Sequence, residues 1–407
     1  MSRIDELISE LAPGGIPVKP LGDLGQFIRG NGLQKADLQE QGAPAIHYGQ
    51  LHTHYGIWTD RTKSFTDPSL AAKLRRAKHG DLIIATTSED DAAVAKATAW
   101  LGEDEVAVSG DAYIYRHTLD PRYVAYFFQS QRFQEQKVRY ITGTKVRRLS
   151  GDSLEKIRIA VPPIAVQREI GRILDQFAEL EAELEAELEA RRQQYDFYAG
   201  ALLAVDDVSP RVRFGDVATI VRGASPRPIQ QFITDADDAV PWIKIGDVPA
   251  RGKFITHTKQ RVTPAGAAKS RRVYPGDFVL SNSMSFGRPY ISKIEGCIHD
   301  GWLAISGFEN SFVPDYLYYL LRSVPIQEEF ARRAGAGTVK NLNADIVRSV
   351  EVPVPPRGVQ ERVVGLLDRF DALVNDISVG LPAELAARRK QYEYYRDKLL
   401  TFEELRA

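Results

Sequence analysis

Residues 161–177 read VPPIAVQREIGRILDQF and residues 354–370 read VPPRGVQERVVGLLDRF, one pattern written twice at a shift of 193. Working outward, the same shift carries Leu21-Gly22-Asp23 onto Phe214-Gly215-Asp216 and Arg29-Gly30 onto Arg222-Gly223. Inside the motif, Gln167, Leu174, Asp175 and Phe177 return as Gln360, Leu367, Asp368 and Phe370. The chain is a tandem duplication whose period is too long for a solenoid. A chain built twice presents two similar surfaces about a pseudo-twofold axis, which suits a bipartite ligand, and duplex DNA is the obvious one.

Each copy of the motif opens a long helix, because Pro162-Pro163 and Pro355-Pro356 fit a first helical turn. In the first helix Val166, Ile170, Ile173, Phe177, Leu180 and Leu184 step by four and three, as a coiled-coil seam does. Leu188 then follows by four, Arg191 takes a seam position, and Tyr195, Tyr198 and Leu202 restore the alternation. Such an insertion is a stutter, which locally unwinds a supercoil. The second helix repeats the seam with Val359, Val363, Leu366, Phe370, Leu373, Ile377, Leu381, Leu385, Arg388, Tyr392, Tyr395 and Leu399, with four additional residues before Arg388-Arg389. Matching seams predict antiparallel packing with Leu184 and Leu373 buried between the helices. Gly380-Leu381-Pro382 predicts a kink or short break, since an interior proline removes a helix hydrogen bond.

The segments ahead of the helices read as mixed α/β globules. Short apolar runs such as Asp81-Leu82-Ile83-Ile84 and Asp277-Phe278-Val279-Leu280 follow Gly80 and Gly276, with Pro/Gly turns between them. Each globule ends in an expected helix, Pro121 to about Val138 and Pro314 to about Ala334, whose aromatics Tyr123, Phe127, Tyr316 and Tyr319 read as core. The expected division is an N-terminal helical segment 1–18, a globule 19–160, a central long helix 161–205, a second globule 206–353 and a distal long helix 354–407. The fold class is α+β, two mixed α/β domains joined by two long antiparallel coiled-coil helices with pseudo-twofold duplication.

The 407 residues carry a formal net charge of −1, and a single cysteine, Cys297, offers neither an internal disulfide nor a Cys-rich metal site. That cysteine usage suits a reducing compartment. The opening MSRIDELISELAPGG lacks an apolar signal region and no 18-residue apolar run occurs, so a cytoplasmic protein without a membrane role is expected. The near-neutral total conceals segregation. Between 61 and 78, Arg61, Lys63, Lys73, Arg75, Arg76 and Lys78 face Asp67 alone. Between 253 and 293, Lys253, Lys259, Arg261, Lys269, Arg271, Arg272, Arg288 and Lys293 face Asp277 alone. The opposing acid lies in the first long helix, at Glu179, Glu181, Glu183, Glu185, Glu187 and Glu189. Phosphates are attracted to the first two regions and repelled by the third.

Two divergent globules, each followed by a helix opening with VPP, Q, L-D and F and ending in RRQQYDFY (191–198) or RRKQYEYY (388–395), resemble the specificity subunit of a type I restriction-modification system over essentially the whole chain. The resemblance implies two target-recognition domains, each reading one half of a split double-stranded DNA site. It also implies helices that separate these domains and bind methyltransferase subunits, two of them, with restriction subunits joining through the complex. Base-reading residues diverge in that family and are not carried over. The three Ala-Glu-Leu-Glu units at 178, 182 and 186 are similar to short repeats by which some members vary their spacer.

DNA-contact candidates are Arg61 and Lys63, the loop 143–148 with Lys145, Arg147 and Arg148, its counterpart 337–341 with Lys340 and Asn341, the cluster Lys269, Arg271 and Arg272, and Ser283 to Arg288. Gly143 and Gly337 are expected to admit a phosphate close to the backbone. The helix seam and spacer are assigned to Phe177, Leu180, Leu184, Leu188, Tyr195, Phe370, Leu373, Ile377 and Tyr392. No phosphate-loop motif and no Asn-Pro-Pro-aromatic methyltransferase motif occur, so no catalytic residue, cofactor or metal is assigned. His52 and His54 alternate as on one face of a strand but lack a third ligand. The Ser-Asn-Ser-Met-Ser-Phe-Gly-Arg turn has no activating base at an informative spacing. Two other classes stay open, a coiled-coil scaffold without a DNA role and an enzyme with an unrecognised site.

Overall fold

The computed structural model describes residues 3–204, 209–248, 252–282, 286–335, 341–375 and 380–402. It divides into two compact units, one of residues 1–184 with 385–407 and the other of residues 185–384.

In unit 1 the buried run Leu82–Ala85 occupies the centre of a five-stranded sheet, in the order Gly25–Arg29, Ala112–His117, Leu82–Ala85, Ala97–Trp100, Trp58–Thr59. An uninterrupted apolar strand belongs there because both of its faces are covered. A four-stranded sheet runs Ser64–Thr66, Ala43–Ile46, Val106–Val108, Arg76–Ala77. Val18–Pro20 pairs antiparallel with Arg158–Ala160 at the base of the globule. Unit 2 repeats this plan. Its five-stranded sheet is Thr219–Arg222, Trp302–Ser306, Phe278–Ser281, Pro289–Ser292, Phe254–Ile255, and its four-stranded sheet is Gln260–Val262, Val240–Ile243, Gly296–Ile298, Arg271–Val273. Arg211–Arg213 pairs with Glu351–Pro353 as the basal strands do in unit 1.

The helix expected from Pro121 is two helices, Pro121–Gln129 and Gln131–Lys137, and the one from Pro314 is Pro314–Arg322 followed by Val324–Arg333. Ser130 and Ser323 stand extended at the breaks, and the Ser130 hydroxyl accepts from Phe133 N–H as an N-cap. Pro325 lies in the first turn of the second helix, where its missing N–H breaks no helical hydrogen bond. Tyr123, Phe127, Tyr316 and Tyr319 are buried core, as their periodicity indicates.

The central helix runs Ile164–Ala204. The motif residues at its start are its anchors. Gln167 accepts from Asp120 N–H at 2.8 Å and donates to Pro162 O at 2.7 Å. In unit 2 Gln360 accepts from Val313 N–H at 2.8 Å and donates to Pro355 O and Ser311 O, each at 2.8 Å. Each buried glutamine therefore accepts the N–H just ahead of a neighbouring helix and donates to the carbonyl ahead of its own, so none of these buried groups is left unpaired.

Helix pairing is antiparallel inside each unit. In unit 1 Phe177 stacks on Tyr395 with centroids 5.5 Å apart, and Glu181 pairs with Arg389 at 2.7 Å. In unit 2 the corresponding stack is Phe370 on Tyr198 at 6.2 Å. Leu188, Tyr195 and Leu385 are buried, and Leu184, Phe177, Phe370 and Tyr392 are half-buried. The periodicity misassigns Leu180, which is 52% exposed, and Leu366 and Leu373, at 44% and 42%, while Tyr198 is exposed although it stacks on Phe370. The buried pair in the second helix is Leu367 and Val374, at 0% and 1%. The helices must cover a globule as well as each other, so their buried face is wider than a seam. The adjacent apolar pairs Leu366-Leu367 and Leu373-Val374 leave the periodicity unable to choose between them. Ile377 lies outside the described residues.

The distal helix is interrupted as the Gly-Leu-Pro signal requires. Arg357–Asn375 ends, and Leu381–Leu399 begins after Gly380, whose φ of +82° is glycine territory.

Candidate nucleic-acid interface

In unit 1 the hairpin 142–148 is closed by Thr142 and Arg148, whose N–H and C=O groups exchange hydrogen bonds at 3.0 and 2.8 Å. Gly143 has φ +89°, and a Cβ there would lie 2.1 Å from Val146 O. The turn itself requires a glycine at this position. Arg147 also has a structural task, donating to Gly143 O at 2.6 Å and pairing with Asp91 at 2.8 Å. Lys145 is exposed in the turn, and Arg148 is exposed on the strand Arg147–Arg148 that pairs with Thr87–Ser88.

Arg148 meets a second guanidinium, that of Arg29, in a cleft of about 240 Å³ lined also by Thr86, Thr87, Asp111, Tyr113, Thr142, Leu149 and Ser150. Arg29 is placed by the repeated Arg-Gly pair. A Cβ on Gly30 would stand 2.1 Å from Ser109 O, and one on Gly223 2.0 Å from His299 O, so only glycine lets the chain cross there. The preceding arginine is then held alike in both units: Arg29 Nε donates to Gly110 O at 2.9 Å and Arg222 Nε to Asp300 O at 3.1 Å. Asp111 lies 3.7 Å from the Arg29 guanidinium. The Asp300 carboxyl is held below its usual range, first by the Ser225 hydroxyl bond and also by the charge of Arg222. Each edge thus sets a guanidinium, a donor suited to phosphate oxygens, beside carbonyl and carboxylate acceptors of the kind that base-edge N–H groups meet. Arg29 and Arg222 escaped the sequence assignment although their recurrence marked them.

Unit 2 joins the equivalent segments. Leu342 N–H donates to Asn282 O at 2.9 Å, as Leu149 N–H does to Thr86 O at 3.1 Å. Asn282 and Leu342, which border the candidate segments Ser283 to Arg288 and 337–341, are therefore joined. Ser283, Gly337 and Lys340 lie outside the described residues, while Asn341 is exposed and Arg288 sits 5.3 Å over the Tyr290 ring.

The remaining candidates do not join these clusters into one site. Arg61 and Lys63 are exposed just past Trp58–Thr59, the edge strand opposite that of Arg29. Lys269 stands 4.9 Å over the Phe232 ring, Arg271 is exposed, and Arg272 pairs with Glu295 at 2.5 Å. Several cations in the basic runs are engaged internally. Arg76 and Lys78 share Glu105, Arg75 donates to Arg29 O, Lys253 pairs with Asp315, and Arg261 donates to Asp237 O and Ala239 O. The charge available to a ligand is smaller than the sequence count.

His52 and His54 are not on a strand. His52 lies in the helix Tyr48–Thr53, where its Nε2 is 2.9 Å from Thr87 O, and His54 caps that helix. Among the described residues no cluster of three His, Cys, Asp or Glu side chains could hold a metal, and no helix is long and apolar enough to cross a membrane.

This geometry, one fold twice over with an arginine-bearing edge in each copy, has relatives. The profile of the type I restriction modification DNA specificity domain matches residues 13–190 and again 209–387. A protein named as a type I restriction enzyme specificity subunit from Haemophilus influenzae is 29% identical over 70% of this chain and 74% of its own length. The Escherichia coli EcoR124I/EcoR124II specificity subunit is 32% identical over 62% of this chain and 65% of its own length. Among solved structures, the HsdS subunit from Thermoanaerobacter tengcongensis matches with a TM-score of 0.54 and 18% identity, covering 96% of this chain and 97% of that one. A chain from a study of complex assembly in the type I R-M system matches with a TM-score of 0.67 and 16% identity, covering 95% of this chain and 97% of that one. The chain belongs to the type I restriction-modification DNA specificity family, whose members are generally non-catalytic.

Proposed function

We propose that the chain reads a split double-stranded DNA target, one half-site per globule, and carries two methyltransferase subunits on its helices, with restriction subunits joining through them. The observation that carries this reading is the duplication itself, a complete globule with an Arg29-type or Arg222-type edge in each copy. Lys and Arg neutralising phosphates supply the affinity, and a few side chains at base edges supply the sequence discrimination. By itself the chain neither methylates nor cleaves DNA. The test is methylome sequencing of cells with and without the protein, alongside gel shifts with and without its methyltransferase partner. A bipartite methylated motif that vanishes with the protein supports the reading. Methyl transfer by the isolated chain above a heat-killed control refutes its non-catalytic part.

A further inference from the structure

In both units, the second helix of the aromatic pair reaches across to the loop joining the two central strands of the five-stranded sheet, with different chemistry in each. In unit 1 that loop is 86–96. Lys137, 1% exposed, donates from its ammonium to Ala92 O and Val94 O at 2.8 Å each. Unit 2 has the shorter loop 282–288, and there Gln327 Nε2 donates to Gly287 O at 2.8 Å. A Cβ on Gly287, φ +69°, would stand 2.7 Å from Gln327 Oε1, so the glycine belongs to the contact.

The duplication provides an internal control. At the shift of 193, Lys137 corresponds to Phe330, which is 0% exposed, and Gln327 corresponds to Gln134. An apolar side chain fills the Lys137 position in unit 2, so the core does not require an ammonium there. Burying one is costly unless its hydrogen bonds are met. Here the loop carbonyls meet them. Burial also lowers the Lys137 ammonium to about 8, opposed by Asp90 and Asp91.

The tethered loop is in turn the support of the candidate interface. Its Asp91 pairs with Arg147, and its Thr87–Ser88 strand pairs with Arg147–Arg148, whose second arginine lines the cleft with Arg29. In unit 2 the loop begins at Asn282, which receives Leu342 N–H, and ends at Arg288. We propose that Lys137 and Gln327 are positioning residues for half-site discrimination, each fixing the loop against which the DNA-reading edge of its own unit is built. This rests on the DNA reading above.

The experiment uses the full chain with its methyltransferase partner, and maps methylated sites for the parent, Lys137→Met and Gln327→Leu. Lys137→Met should lower the preference for cognate over single-mismatch sites about tenfold in one half-site only, the lower range of one base-pair contact. Gln327→Leu should do so only in the other. Asp91→Ala, at the exposed end of the same link, should reproduce the Lys137→Met pattern, and it decides the matter if Lys137→Met does not assemble. Unchanged discrimination, or relaxation of both halves together, overturns the assignment. A parent complex without any bipartite motif instead overturns the DNA reading and this role with it. Amide exchange of loop 86–96, faster in Lys137→Met while loop 282–288 keeps its parent rate, reads the tether independently of DNA.

Discussion

The Asp175 carboxylate accepts the Tyr126 hydroxyl at 2.7 Å, and in the second copy Asp368 accepts the Tyr319 hydroxyl at 2.6 Å. Asp175 also receives Trp58 Nε1 at 3.1 Å and faces Arg122 at 3.0 Å, so one helical carboxylate ties together three parts of the globule. Burial, then the Asp175 bond, pushes both the Tyr126 hydroxyl and its hold on the proton upward. Asp175→Ala should leave buried donors unpaired and destabilise unit 1 by ~2–4 kcal/mol. Denaturant unfolding checks this, and a midpoint equal to the parent's would show the cluster to be energetically idle.

The corrected helix face separates two neighbouring substitutions. Leu373→Asp should stay within ~0.5 kcal/mol of the parent because that side chain meets solvent, whereas Val374→Asp buries a charge and should cost several kcal/mol. Thermal melts of both variants decide it. Equal losses would restore the seam read from periodicity.

Gly30→Ala and Gly223→Ala should each destabilise their own unit by at least ~2 kcal/mol, since neither Cβ fits against the facing carbonyl. Near-parental stability in either variant would mean that the strand crossing can open.

Acid should weaken unit 1 through His117. Burial lowers its imidazole to about 4, opposed by the Asp81 carboxylate and by the backbone at Leu119. The unfolded histidine titrates near ~6.5, so this contribution is complete above that pH and is lost as pH falls toward 4, on the order of 3 kcal/mol in all. His117→Phe should flatten stability between pH 6.5 and 4. An acid limb as steep as the parent's would assign the loss to other groups.

The Ala-Glu-Leu-Glu units offer a test of spacing. Removing residues 182–185 takes out about one helical turn, ~6 Å, which is just under two base-pair steps of B-DNA. Methylation mapping should show both half-sites intact and the gap between them shorter by one or two base pairs. An altered half-site, or an unchanged gap in an active complex, would refute the helix as spacer.

What could be read in the sequence was whatever repeats or punctuates: the duplication, the VPP helix starts, the break at Gly380, the buried run Leu82-Ile83-Ile84. Pairing partners were another matter. The sequence count treated Arg76, Lys78 and Lys253 as available to phosphate because their neutralising acids, Glu105 and Asp315, arrive from other elements. Arg29 and Arg222 passed as repeat markers, since a role for them emerges only where Gly110 O and Asp300 O fix the guanidinium. Lys137 gave no signal at all, for a lysine at the end of a helix ordinarily reads as solvated.

Leu400, 2% exposed, lies in the same apolar cluster as Ile4, Leu21 and Tyr126, and Asp397 accepts from Gln131 N–H at 2.9 Å. The globule of residues 19–160 thus lacks part of its own core until residues beyond Leu385 have been made. At ~5–20 residues per second the wait across the intervening stretch of about 200 residues is roughly ten to forty seconds. For that interval the nascent first globule exposes the apolar seat of Leu400, and a chaperone or the translation rate has a window in which to act on it. A stop codon placed before Leu400 should accordingly damage the globule of residues 19–160.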